Sequence, residues 1–167
     1  MDKRELIILR LEALLATVSG ITAVYRDRGE LPDGKIIGKL PAVILLDGRE
    51  ARSELTPNKI SGHVQMPPGL FTLFPQIFVV LKPRDTLANE TLNKVAAPVG
   101  PELSAYRVKV LKAILNDDTL IALVGPNGQI DYVGHDTDMQ TGSTLGALGA
   151  MIQFHFSFTY VLKPSDL

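Results

Sequence analysis

The 167-residue chain is long enough for one domain with a real core. Its 46% hydrophobic and 21% charged residues exclude wholesale disorder, and 17 basic against 18 acidic residues give a net charge of -1 that advertises neither a nucleic-acid nor an anionic-membrane partner. With no cysteine, disulfides, thiolate metal sites and a cysteine nucleophile are excluded outright.

The first predicted element is an amphipathic helix over Asp2–Val18. Ile7, Leu11, Leu14, Leu15 and Val18 recur at helical spacing, Asp2 and Glu5 suit the dipole at its start, and Ser19-Gly20 ends it. Glu5, Arg10 and Glu12 interrupt the apolar run, so it does not read as a signal peptide. No run reaches about 18 apolar residues, the length a membrane span needs. The expectation is a soluble, cytosolic product without an anchor.

Ile21–Arg26 alternates as a short strand, followed by a polar, turn-rich hairpin holding Arg26, Asp27, Arg28 and Glu30. Pro41 opens AVILLDG, a continuous apolar run closed by Asp47-Gly48 that suits a buried strand. Residues 49–75 are punctuated by Pro57, Pro67, Pro68 and Pro75, yet hold the apolar Leu70, Phe71, Leu73 and Phe74. They read as a long excursion, a kind of segment often functional when it occurs in a small domain. Gln76–Leu81 is a further strand, and residues 84–100 a second irregular stretch.

A second helix is expected over Glu102–Asn116, with Leu103, Tyr106, Val110 and Ile114 on one face, broadened by Leu111 and Leu115. Asp117-Asp118 caps a short third helix, TLIALVG. After the turn GPNG, QIDYVG reads as a brief strand, and HDTDMQTGSTLGALG as a loop. Ile152–Leu162 is the clearest signal. Ile152, Phe154, Phe156, Phe158, Tyr160 and Leu162 alternate with Gln153, His155, Ser157, Thr159 and Val161, so the first set faces the core. The sum is a single α+β domain over residues 1–167. It has two layers: a largely antiparallel or mixed sheet with two main helices packed on one face, the opposite face being more polar.

Chemistry is sparse in this pattern. The glycines of TGSTLGALGA lack the lysine of a phosphate-binding loop, and no serine sits in a nucleophile elbow. His135, Asp136 and Asp138 carry the donor types of a metal site, but the same residues are ordinary turn formers. The expectation is no catalytic residue, no metal and no cofactor. His155 stands on the polar side of the last strand as a solvated or interface residue. The excursions hold apolar residues with no visible periodic element. That leaves Leu70, Phe71, Leu73 and Phe74, with the charged hairpin, as candidates for contact with neighbouring subunits.

The runs VYRDRGELP, LPAVILLDGRE and VVLKPRD, continued by GPELSAYRVKVLKAILND, LVGPNGQIDYVG and FSFTYVLKP, resemble a family of small phage and prophage tail proteins, the tail terminator or tail completion proteins of long-tailed phages. The resemblance covers most of the chain, residues 53–75 least. It implies a non-enzymatic virion protein assembled in the host cytoplasm. It implies a homo-oligomeric ring, sixfold in the family, at the head-proximal end of the tail, contacting the tail tube protein and the head–tail connector proteins. The alternative within the same class is a head–tail connector, neck or adaptor subunit of a short-tailed phage. Outside that class stand an enzyme built on His135, Asp136 and Asp138, and a regulatory binding module using the 49–75 segment.

Overall fold

Asp2 begins the first element by accepting a hydrogen bond from the Arg4 backbone N–H at 3.2 Å, which caps helix α1, Lys3–Ala16. The computed structural model describes residues 2–26, 39–52, 69–81, 100–139 and 150–163. α1 buries Ile7, Ile8, Leu11, Leu14 and Leu15, the predicted stripe widened by Ile8.

Strand β1 (Ala23–Arg26) runs parallel to β2 (Ala42–Arg52), which pairs antiparallel with β3 (Gly69–Val80). Helices α2 (Gly100–Leu115) and α3 (Asp118–Val124) follow, then β4 (Gln129–Met139) and β5 (Ala150–Leu162), both pairs around β5 antiparallel. The sheet order is β1-β2-β3-β5-β4. This is the expected two-layer α+β architecture, with a mixed five-stranded sheet and a short third helix beside the two main ones.

The three helices among the described residues share one face of the sheet. Their apolar residues meet Val43 and Leu45 of β2, Leu73, Ile77 and Val79 of β3, and Ile152, Phe154, Phe156, Phe158 and Tyr160 of β5 in one cluster. Four of those five β5 residues are among the largest fully buried side chains, so the period-2 pattern identified the correct face. On α2 the buried residues are the predicted Leu103, Tyr106, Val110 and Ile114, whereas Leu115 is exposed. Tyr106 also donates to the Gly20 carbonyl at 3.2 Å, tying α2 to the turn before β1.

Two expectations need correction. The irregular excursion over 49–75 is strand at both ends: β2 continues to Arg52 and β3 begins at Gly69. The misleading signals were Gly48 and Pro75, which face each other at a β-bulge. Pairing passes from Leu46 with Gln76 directly to Arg49 with Phe74, so two residues of β2 stand opposite the single Pro75. A proline sits at low cost where the ladder is already interrupted. Gly48 has φ +68°, and a Cβ there would overlap the Phe74 carbonyl oxygen.

The second correction concerns β4, which runs on through His135 and Asp136 to Met139 where a loop was expected. Local turn chemistry gave way to pairing with β5. The face on which no described helix packs, the helix-free face, is the more polar one as expected, with one apolar patch. Leu40, Ala42, Ile44 and Val80 are buried there in a smaller apolar cluster, with Tyr25, Leu46, Phe78 and Met151 beside it. Residues 53–68 and 84–99 of the two excursions lie outside the described residues.

Candidate functional site: fastened charges and an outer strand

Half-buried charges of opposite sign meet at the junction of α1, β1 and β2. Arg26, at the end of β1, donates from Nη1 and Nη2 to the two Glu5 oxygens at 2.6 and 2.7 Å. It also donates from Nε and Nη2 to the two Asp47 oxygens at 2.8 and 2.7 Å. One planar guanidinium thus clamps two carboxylates in paired, fork-like contacts. Arg4 adds a longer contact to Asp47 at 3.7 Å. The hydrogen bonds from Arg26 pull the Glu5 carboxyl below its ordinary value, and those two carboxylates push Arg26 further up.

A second fastener joins α1 to α3. Arg10 donates to Asp117, which also caps α3 by accepting from the Leu120 N–H at 2.7 Å. Arg10 holds the Asp117 carboxyl below its ordinary value. On the core side of β5, burial first and the hydrogen bond to Glu50 second push the Tyr160 hydroxyl upward. Perturbed groups mark active sites when they converge on a cleft. Here, with Tyr106 raised by its burial, they sit at four separate places and hold elements together.

β4 is different. It ends the sheet, and among the described residues no strand pairs with its outer side. Tyr132 ties it to the helix layer: the Tyr132 ring lies 5.4 Å from Phe156, and Arg107 of α2 donates to its hydroxyl at 3.3 Å. That hydroxyl shares a 2.6 Å hydrogen bond with His135 Nδ1. The register breaks between Tyr132 and Gly134, leaving Val133 at 69% exposure, the highest of any large hydrophobic side chain among the described residues. On the helix-free face, Asp136 pairs with His155 at 2.8 Å, and Asp131 accepts from Gln129 at 2.5 Å.

The residues singled out from sequence are dispersed by this arrangement. Arg26 is engaged inside the subunit by Glu5 and Asp47. Asp27, Arg28 and Glu30 lie outside the described residues. Leu73 is fully buried in the main core, because its place on β3 points it at the helices. It is therefore consumed by the subunit itself, contrary to the interface role expected of it. Phe71 is half-buried against the same core, while Leu70 and Phe74 are half-buried, with Arg49 stacked 5.4 Å above the Phe74 ring. His155 stands on the helix-free face as expected.

His135 and Asp136, read as neighbours in a possible metal site, alternate to opposite faces of β4. His135 lies in register with the buried Phe154, and Asp136 with Gln153. Among the described residues, no three His, Asp or Glu side chains are placed to hold a metal ion. Also among them, no helix is long and apolar enough to cross a membrane. The sequence reading missed the Glu5–Arg26–Asp47 clamp, because nothing in the sequence announces contacts that only strand pairing creates. It missed Val133 because the bulge that exposes it leaves no local mark.

Two comparisons add nothing to this geometry: no protein-family model matches the chain, and no curated protein matches it significantly.

Proposed function

We propose that this chain is a structural subunit of a phage or prophage tail, similar to the tail terminator proteins of long-tailed phages. It assembles as a ring of six subunits at the head-proximal end of the tail. There it ends polymerisation of the tail tube and presents a surface to the head–tail connector proteins. The resemblance of the sequence segments supports the family.

The observation that carries the ring is the outer strand β4. Eleven residues of strand end the sheet with an exposed valine and no pairing strand on the outer side among the described residues. A long unpaired edge is a template for another chain unless something covers it. The fastened ion pairs support a scaffold role, since each joins secondary-structure elements of the subunit. Ring formation by head-to-tail contacts requires such a rigid body, because closure depends on a fixed angle per subunit.

Deleting the coding sequence from the phage or prophage genome tests this role. The expected product is separate filled heads and tails of uncontrolled length. Particles joined and of normal tail length would refute it. Tails of normal length that fail to join heads would favour the connector or neck position.

A further inference from the structure

We propose that the outer edge of β4 receives the β1–β2 edge of a second copy of this chain, antiparallel and head to tail. This rests on the ring reading above and names the surfaces that make the ring.

Strand direction fits first. β1 and β2 are parallel, and each remaining neighbour pair is antiparallel. β4 therefore runs opposite to β1 and β2. A copy set beside β4 in the same orientation presents its β1–β2 edge antiparallel to β4, and keeps its helices on the same side of the continued sheet. The row Tyr25, Ile44, Phe78, Gln153, Asp136 crosses the sheet from one edge to the other. In line, Asp136 of one copy falls beside Tyr25 of the next.

Charge then selects among partners. β4 carries Asp131, Asp136 and Asp138 and no lysine or arginine. Pairing β4 with β4 of another copy would set carboxylates against carboxylates, which destabilises an antiparallel pair. The other edge carries Arg49 and Arg52 together with Asp47 and Glu50, of which Asp47 is already held by Arg26 and Glu50 accepts from Tyr160 inside the subunit. β1 pairs only with Ala42–Leu45, so Arg49 and Arg52 lie on a part of β2 with no strand on that side among the described residues. Aspartates on an edge strand discourage indiscriminate pairing, and here they admit the two arginines of β2. The contact joins two different surfaces, so it propagates and either closes into a ring or grows as a filament.

The chain has no cysteine, so introduced thiols report without background. Gln129→Cys places one on β4 and Ala51→Cys one on β2, in one row across the sheet (Ala51, Thr72, Thr159, Gln129), neither in the core nor at a charged residue. With a short bismaleimide, the double variant should give a covalent ladder of dimer, trimer and higher species across a concentration series, and each single variant monomer only. Asp131→Lys with Asp136→Lys should suppress that ladder, and adding Arg49→Glu with Arg52→Glu should restore it. A dimer from Gln129→Cys alone overturns the proposal in favour of two-fold pairing. Rings seen by sedimentation without a ladder overturn it while leaving the ring reading intact. A ladder from open filaments upholds this contact and refutes the ring. No ladder and no association at any concentration, with tail tube protein added, overturns both.

Discussion

Arg10 of α1 and Asp117, the cap of α3, meet across 107 positions of sequence through two hydrogen bonds, 2.9 Å from Nε to Oδ1 and 2.5 Å from Nη2 to Oδ2. The carboxylate that starts α3 is thus the one that anchors it to the first helix. Asp117→Ala removes both functions, and the lost cap alone costs about 0.5–2 kcal/mol. Asp117→Asn keeps an oxygen that can cap and should lose less. Urea unfolding of both variants checks this, and equal losses would show that the cap contributes little.

This pair and the Glu5–Arg26 contact set an acid limit. Glu5 and Asp117 both have lowered values in the folded chain, through Arg26 and Arg10 respectively. The unfolded chain then binds more protons on acidification, so stability falls as pH falls. The contribution is complete above the ordinary values of 4.5 and 3.8 and is lost as pH drops through the lowered folded ones. The stability difference between wild type and a Glu5→Gln/Asp117→Asn variant should be constant near neutrality and shrink below about pH 4. A difference that grows on acidification would contradict it.

Phe156 is buried between Phe154 and Phe158, its ring 6.4 and 6.1 Å from theirs. Phe156→Ala should cost about 3–5 kcal/mol, and Leu73→Ala about 2–5 kcal/mol. Both losses belong to the isolated subunit and appear in its melting temperature. A Leu73→Ala protein that melts like wild type would return Leu73 to the surface.

Gly48→Ala forces a side chain into positive φ and against the Phe74 carbonyl. A loss of more than about 1 kcal/mol is expected, with the bulge opposite Pro75 opened. Chemical denaturation reads it, and an unchanged midpoint would mean that the bulge is soft.

Much of this fold was written in short-range patterns. The β5 alternation, the α2 stripe, the Asp117 cap and the α1 face all depend on neighbours within one or two turns or pleats. The interruption of β2 and β3 was hidden because glycine and proline normally mark chain reversals, whereas Gly48 and Pro75 cancel each other across two strands. Of the candidate interface, His155 was placed correctly by alternation alone. Arg26 looked like a surface charge because its partners Glu5 and Asp47 are brought to it only by α1 and β2. That β4 ends the sheet among the described residues was invisible, since strand order in a sheet is set by long-range pairing.

The ring is the central claim, and electron microscopy of the purified protein over a range of concentrations tests it most directly. Closed rings of uniform diameter with six subunits are expected, more abundant at higher concentration or when tail tube protein is added. Particles that remain single subunits under all these conditions, tube protein included, would contradict it.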